Sequence, residues 1–244
     1  MQNFKLTFKP YGERSLLIEW PQKIDENTLQ NVVDFKKVLQ KYYIKQRVYI
    51  NNAYNSILVF YVDGIENIYD EISVLKALYD TNRSRVHLSK KLWKIPVCYD
   101  PKFGWDLDAI SSNNNLKKEA IIDIHSGVQY TVYFIGFLPG FLYLGGLDKQ
   151  LFIPRKATPR LQVDKGAVAI GGSQTGVYPH SSPGGWNIIG NSPIDFFNLD
   201  SQPPCFASPG DKIMFYSIGL SDHTKIIKAC KNNTYVIESE VIDA

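Results

Sequence analysis

The chain has 244 residues, a formal net charge of +3, a hydrophobic fraction of 44% and a charged fraction of 21%. This length suits one large domain or two small ones, and the composition is that of an ordinary globular protein. The small net charge argues against a nucleic-acid-binding surface, and no apolar run approaches membrane-spanning length. The three cysteines are far apart and form no Cys-x-x-Cys pair, so we expect a cytoplasmic protein in a reduced setting, without nucleic-acid or membrane partners.

The first part of the chain alternates short apolar runs with helical patterns. Asp25 is an expected helix N-cap, because apolar residues at helical spacing follow it. The predicted elements, in chain order, are a strand at residues 4–8, a strand at 15–20, a helix over 26–43, a hairpin of strands 48–50 and 57–62, a helix over 65–79 and an extended segment between residues 85 and 97. From residue 15 this order is β-α-β-β-α-β, which predicts a small ferredoxin-like α/β domain at residues 1–92 with one added strand.

After about Trp93 the chain is punctuated by proline and glycine, and its apolar runs become short. Residues 106–115 are polar and irregular at their end, and a helix is predicted over residues 116–125. Further strands are predicted at residues 130–135, 168–170, 186–189, 194–197, 212–218 and 235–237. Short strands between Gly/Pro turns indicate a β-barrel or a β-sandwich. We therefore expect an α+β protein whose second domain spans residues 93–244.

Residues 136–190 are the most unusual stretch, because they hold eleven of the 17 glycines and many aromatic residues. Glycine allows positive φ and close backbone approach, and proline fixes φ. Such a stretch predicts ordered, tightly turning backbone. It builds either the turns of a barrel or the wall of a binding cleft, and composition leaves both interpretations open.

Several polar residues of this stretch are candidates for a binding or catalytic site. Arg155 and Arg160 each offer a planar fork of donors that suits carboxylate or phosphate, although each arginine can equally tie a loop to backbone carbonyls. The backbone N–H groups of Gly171 and Gly172 can approach an anion or an oxyanion.

The remaining candidates are hydrogen-bonding and aromatic side chains. Gln174, Thr175 and Tyr178 can bind an amide-like ligand. Trp186 either covers a flat ligand or packs in the core. His125, at the end of a predicted helix, is either a structural residue or an acid and base for proton transfer.

The sequence lacks several common catalytic motifs. It has no G-x-x-x-x-G-K-[ST] phosphate loop, no G-x-G-x-x-G after a strand and no H-E-x-x-H, and Thr175 stands where a nucleophile elbow needs glycine. The four histidines are scattered, so we expect neither a metal site nor an organic cofactor in this chain.

Motifs along nearly the whole chain resemble the family formed by the B subunits of 5-oxoprolinase, also called the kinase A inhibitor or allophanate hydrolase subunit 1 family. The matching runs are residues 11–17, 95–100, 104–107, 125–132, 136–144, 154–155, 159–160, 172–179, 182–186 and 189–190. The resemblance implies a small N-terminal α/β domain and a C-terminal cyclophilin-like β-barrel.

The resemblance also implies a function. It implies that this chain acts in a complex with a homologous sister chain, the C subunit of 5-oxoprolinase, and with a third chain, the A subunit. Together they form a complex that hydrolyses 5-oxoproline to glutamate with ATP as co-substrate. The ATP site is then expected on a partner chain or between chains, and the isolated chain is expected to be inactive.

Two other functions remain open at this point. Some relatives are described as inhibitors of a sensor histidine kinase, which is the alternative function. A prolyl isomerase is a weaker third interpretation, because fold alone is poor evidence for function.

In the 5-oxoprolinase interpretation, Arg155 and Arg160 hold anionic groups, and His125 or Tyr178 assists proton transfer. Gln174 and Thr175, with the backbone of Gly171 and Gly172, bind the lactam amide or its oxyanion, and Trp186 lines the pocket. Residues 191–193, Asn-Ser-Pro, stand where the family commonly has Arg-Thr-Pro. The missing positive charge implies that the stretch forms only part of a site.

Overall fold

The computed structural model describes residues 4–81 and 90–242 and shows a mixed α/β protein. The chain divides into two compact units, Met1–Leu88 and Ser89–Ala244. The elements of the first unit are β1 (Thr7–Pro10), β2 (Ser15–Glu19), α1 (Glu26–Tyr42), β3 (Val48–Ala53), β4 (Ser56–Tyr61) and α2 (Ile68–Thr81).

The first unit is a four-stranded antiparallel sheet, in the order β1-β2-β4-β3, with two helices. Helix α1 begins where predicted, because the Asp25 carboxylate accepts the backbone N–H of Thr28 at 2.7 Å. The core joins sheet residues such as Leu16 and Val59 to helix residues such as Leu39. The predicted hairpin of β3 and β4 is confirmed.

The predicted closing strand of this first sheet is wrong. The segment predicted between residues 85 and 97 begins outside the described residues, and its described part is β5 (Lys90–Val97). β5 pairs with β13 and β14 of the second unit, and β1 takes the edge position beside β2. The reason is that β5 is buried on both of its faces. Trp93 and Val97 lie on one face, Leu92 and Pro96 lie on the other, and all four are buried. Burial on both faces is typical of a strand inside a larger sheet.

The second unit is built on an eight-stranded sheet in the order β12-β9-β10-β7-β6-β13-β5-β14, and a separate pair, β8 and β11. Its elements after β5 are α3 (Leu107–Asn114), α4 (Lys118–Ser126), β6 (Gln129–Ile135), β7 (Leu142–Gly145), a 3-10 turn (Lys149–Leu151), β8 (Arg160–Val163), β9 (Ala167–Gly171), β10 (Gln174–Val177), β11 (Ser182–Gly184), β12 (Asn187–Asn191), β13 (Lys212–Ser217), α5 (Leu220–Lys231) and β14 (Ser239–Ile242).

The large sheet has its two ends at β12 and β14. A single bridge brings Cys98, just after β5, to Asn191 at the end of β12, with N–H···O distances of 2.8 and 2.9 Å. Among the described residues no continuous ladder closes this sheet, so the predicted cyclophilin-like barrel is not confirmed.

Two helices and two strands are among the differences from the sequence prediction. α3 occupies a stretch for which no helix was predicted, and α5 was not predicted either, because most of its residues are polar and only His223 is buried. Residues 194–197 and 235–237 are not strands. Ile194 and Phe196 are nevertheless buried in the core, and a short buried run has the same hydrophobic pattern whether or not it pairs. Within residues 4–81 and 90–242, no helix is long and apolar enough to cross a membrane.

Candidate functional site

The Gly-rich stretch folds into the strands from β7 to β12, and its sheet has two different faces. In β9 the side chains of Val168 and Ile170 enter the main core, whereas Ala167 and Ala169 pack in a second, smaller cluster. This alternation is the period-two pattern of a strand. The aromatic members of the second cluster form what we call the aromatic face: Phe141, Tyr143, Tyr178 and Trp186.

Phe141 lies at the centre of the aromatic face. Its ring meets Tyr143 at a centroid distance of 5.0 Å, and Tyr178 and Trp186 at 5.6 Å each, all at steep angles. Edge-to-face contacts of this kind add to the stability gained by burial. Trp186 is 5% exposed, so of its two predicted roles the packing role is the one seen in the structure.

Arg155 is the exposed cation of the aromatic face. Its guanidinium carbon lies 5.4 Å from the centre of the Trp186 ring, a cation–π geometry. No ion pair to Arg155 is found among the described residues. Its charge lowers the pKa of Tyr143 and of Tyr178, but burial is the larger influence and raises the pKa of both groups. Arg155 can therefore bind an anion with its donors.

Arg160, the second predicted anion ligand, is already paired. It donates two hydrogen bonds of 2.8 Å to the carboxylate of Asp106, and Lys156 lies 2.7 Å from the same carboxylate. The Asp106 carboxylate also accepts the Ile188 backbone N–H at 2.7 Å. We call Asp106, Lys156 and Arg160 the charged cluster. Burial by itself raises the pKa of Asp106, but hydrogen bonds from Arg160 and Lys156 outweigh it and hold this pKa below its usual value.

The charged cluster fixes the loop that carries Arg155. Besides the ion pairs, the Lys156 backbone N–H donates to Gly185 at 2.7 Å, and the Asn187 amide donates to Pro154 at 3.0 Å. Arg155 is therefore held between anchored neighbours. Asp106 is not among the site residues predicted from the sequence, although it lies within the matching run 104–107, which is the signal that could have identified it.

The two glycines predicted as an oxyanion site each have a structural role, and the oxyanion role of Gly171 stays a prediction. A Cβ at Gly171 would lie 2.6 Å from the Trp186 indole, so glycine is needed for this close packing. Gly172 has φ +65°, and its N–H donates to the Ile153 carbonyl at 2.8 Å. Because that N–H is already used, the structure gives no support to an oxyanion contact from Gly172.

Gln174 and Thr175 are neighbours in β10 and lie on opposite faces of the sheet. Gly176, two residues after Gln174, faces Phe141, so Gln174 belongs to the aromatic face. Gln174 is partly exposed and pairs with Gly171 across the strands. Thr175 is fully buried on the other face. Of the two, only Gln174 can reach a ligand on the aromatic face.

His125 lies in a closed cluster with Thr175 and Tyr99, which we call the neutral cluster. The Thr175 hydroxyl donates to the Ala169 carbonyl, so it accepts from His125 Nε2 at 2.9 Å. His125 Nδ1 then accepts from the Tyr99 hydroxyl at 2.7 Å. Burial lowers the pKa of His125 to about 3, so the ring stays neutral. This geometry favours a structural role, and proton transfer by His125 stays a prediction.

Tyr178 is 2% exposed, and its hydroxyl lies against Gly184, where an added Cβ would approach it to 2.3 Å. Its predicted role in proton transfer stays a prediction.

The predicted site residues are thus divided among three places. The structure brings Arg155, Gln174, Tyr178 and Trp186 to the aromatic face. It places Arg160 in the charged cluster, and His125 and Thr175 in the neutral cluster. No group of three or more metal-ligating side chains occurs in the part of the chain that the structure describes.

A cavity of about 450 Å³ lies elsewhere in the second unit. It is lined by residues such as Asp195, Asn198 and Tyr235, and by none of the residues predicted from the sequence.

Known proteins share both the sequence and the fold of this chain. The B subunit of 5-oxoprolinase from Bacillus subtilis (strain 168) is 43% identical over 136 residues, which are 56% of this chain and 57% of that protein. The crystal structure of a conserved uncharacterized protein from Pyrococcus horikoshii is 38% identical, with a TM-score of 0.53, and covers 89% of this chain and 100% of that chain.

The match to the crystal structure of the Kluyveromyces lactis urea carboxylase covers 99% of this chain and 24% of that chain, with a TM-score of 0.82. Its sequence identity is 18%, so this match shows a shared fold alone. The matches span between 56% and 60% of the length of the 5-oxoprolinase relatives. The protein family described as "Carboxyltransferase domain, subdomain C and D" matches residues 6–207, which is most of the chain. The chain therefore belongs to the family of carboxyltransferase domains, subdomains C and D.

Proposed function

We propose that this chain is a subunit of an ATP-dependent 5-oxoprolinase, which hydrolyses 5-oxo-L-proline to L-glutamate. Three curated relatives, 43% to 46% identical over their matched parts, are named as B subunits of 5-oxoprolinase, and these names favour the enzyme over a kinase regulator. The observation on the chain itself that carries the proposal is the exposed guanidinium of Arg155 over Trp186 on the aromatic face, to which Gln174 also belongs.

The reaction needs activation because a five-membered lactam is a resonance-stabilised amide. Transfer of the γ-phosphoryl group of ATP to the lactam oxygen releases ADP and makes the ring carbon electrophilic. Water adds to that carbon, and cleavage of the carbon–nitrogen bond opens the ring to an acyl phosphate with a free amino group. A second water then hydrolyses the acyl phosphate, which gives glutamate and releases phosphate. Such a site needs cations for the anionic groups and donors for the developing oxyanion.

In this proposal, Arg155 binds the substrate carboxylate and Gln174 binds the lactam amide. Arg160 acts indirectly, by holding the Arg155 loop on Asp106. Asn191 is buried and donates to the Lys165 carbonyl, so it offers no phosphate ligand. The ATP site and the remaining donors are assigned to the other two chains of the complex, the homologous C subunit and the A subunit, and the chain is inactive by itself.

The architectural part of the proposal is that residues 1–92 and 93–244 are separate domains. The two compact units of the chain support it. The bridge from Cys98 to Asn191 supports a barrel-like second domain, because it joins the end of β5 to the edge strand β12. A cytoplasmic location is part of the same proposal.

The test is reconstitution of the chain with its candidate sister chains, followed by an assay for ATP-dependent glutamate release from 5-oxo-L-proline. Arg155→Gln should lower kcat/KM by about 100-fold, because it removes one charge-assisted contact that stabilises the transition state by about 2.7 kcal/mol. Its thermal unfolding should match the wild type, because Arg155 is exposed. The matched control is Arg47→Gln, which removes another exposed arginine, in the first unit, and should keep full activity.

Unchanged activity in Arg155→Gln would remove Arg155 from the site. A wild-type chain that forms no complex, and instead suppresses autophosphorylation of a sensor histidine kinase, would contradict the enzyme function and support the regulator.

A further inference from the structure

Phe137 combines two unfavourable features that the folded chain does not explain. Its φ is +65°, in the left-handed region that a bulky side chain rarely occupies, and it is 62% exposed. The other non-glycine residues with positive φ in the described ranges are Asn115 and Asn233, a residue type that tolerates this conformation. Phe137 is therefore the one strained aromatic residue among those described, and its ring gains little from burial.

The turn between β6 and β7 holds Phe137 in this conformation. The Gly136 N–H donates to the Phe141 carbonyl at 3.1 Å, and the Phe141 N–H donates to the Leu138 carbonyl at 3.0 Å. Gly140 has φ +85°, and an added Cβ would lie 2.7 Å from Phe197. The surrounding backbone thus keeps Phe137 at the tip of the turn. Strain that is held in place by its surroundings is a feature of binding sites.

The position of Phe137 indicates what it contacts. Its ring meets the edge of Phe141 at 5.5 Å, and Phe141 in turn meets Trp186, over which Arg155 lies. Phe137 is therefore at the rim of the aromatic face. The side chain adds an exposed apolar surface to a site that also presents two polar groups, Arg155 and Gln174.

We propose that Phe137 is a substrate-contacting residue that covers the apolar edge of the five-membered ring of 5-oxo-L-proline. This inference rests on the proposed function. The substrate has a carboxylate, an amide and two adjacent ring methylene groups. Arg155 and Gln174 match the first two groups, and Phe137 supplies the apolar contact for the methylene groups. Binding removes apolar surface of both partners from water, which favours the complex.

The test is the variant Phe137→Asn, with Phe137→Gly as a second variant, in the reconstituted complex. Both residues accept positive φ, so neither variant should lower the Tm of the chain, and Phe137→Asn should raise it by about 2 °C. The KM for 5-oxo-L-proline should rise by about tenfold, because one apolar contact to the substrate is lost, and kcat should change less. Improved or equal stability together with weaker substrate binding is a result that a purely structural role does not give.

The matched control is Phe152→Asn. Phe152 is 39% exposed but has an ordinary φ of −63°, so this variant should not raise the Tm and should keep the wild-type KM. An unchanged KM in both Phe137 variants, with an active wild type, would overturn the substrate contact alone. A Tm lowered by about 4 °C or more would make Phe137 a folding residue. Failure of the variants to assemble into the complex would assign Phe137 to a partner surface. An inactive wild-type complex would overturn the proposed function, and the inference with it.

Discussion

Two buried polar clusters of the second unit, the neutral cluster and the charged cluster, differ in charge and in access to solvent. The neutral cluster around His125 is closed, and both ring nitrogens have partners. The charged cluster is centred on Asp106, whose carboxylate is buried, but the Lys156 and Arg160 side chains remain 27% and 28% exposed. The neutral cluster is therefore closed to solvent, whereas the charged cluster keeps its two cations in partial contact with water.

The difference follows from the free energy of burying charge. A neutral hydrogen-bonded group can be enclosed if its partners satisfy it, whereas an ionised group needs an opposite charge and keeps some contact with water. Arg155, the group available to an anionic ligand, is exposed and adjoins Lys156 of the charged cluster. For this reason we place ligand binding on the aromatic face and a structural role at His125.

The largest effect is expected from Asp106→Ala. This change leaves Lys156 and Arg160 facing each other without a counter-charge and leaves the Ile188 N–H without its acceptor. We expect the free energy of unfolding, measured by urea denaturation, to fall by about 3–5 kcal/mol, as when one partner of a buried ion pair is removed.

Asp108→Ala is the matched control for Asp106. Its side chain is 82% exposed and pairs with Lys118, so the free energy of unfolding should change by about 0.5 kcal/mol or less. Equal effects of the two alanine variants would show that the charged cluster does not hold the structure together.

A smaller loss of stability is expected from His125→Ala. The change removes a buried ring that stacks on Phe215 at 4.8 Å, and it takes away the acceptor of the Tyr99 hydroxyl and the donor to the Thr175 hydroxyl. A cavity and these two lost hydrogen bonds should lower the free energy of unfolding by about 2–4 kcal/mol. His180→Ala, which changes an exposed histidine, should leave it nearly unchanged. A stable but inactive His125→Ala complex would instead support proton transfer by this residue.

The local elements could be predicted from the sequence better than their pairing. The Asp25 cap and the hairpin of β3 and β4 depend on neighbouring residues, and both are confirmed. The partner of β5 depends on β13, more than 100 residues later, which no local pattern specifies. α5 was missed because most of its residues are polar and only His223 is buried.

The candidate site shows the same limit. Composition identified the stretch of residues 136–190, and residue chemistry identified Arg155 and Gln174. The pairing of Arg160 with Asp106 was not foreseeable, because 54 residues separate the two side chains. Because side chains alternate along a strand, Gln174 and Thr175 lie on opposite faces of β10. The sequence does not tell which of the two faces the core, because that depends on the register of β10 in the sheet.

The smallest expected effect is a difference in acid sensitivity between the two clusters. The folded-state pKa of His125 is lowered from 6.5 to about 3, so its contribution to stability is complete above about pH 6.5 and is lost as the pH falls toward 3. The folded-state pKa of Asp106 is also lowered, but from 3.8, so its contribution is lost only below that value. Between about pH 6 and about pH 4.5, His125 should therefore contribute a slope of up to about 1.4 kcal/mol per pH unit, and Asp106 none. Urea denaturation across this range should show a shallower slope for His125→Gln than for the wild type, and the wild-type slope for Asp106→Asn. Equal slopes for the wild type and His125→Gln would mean that the ring takes up a proton in the folded state, and proton transfer by His125 would then regain support.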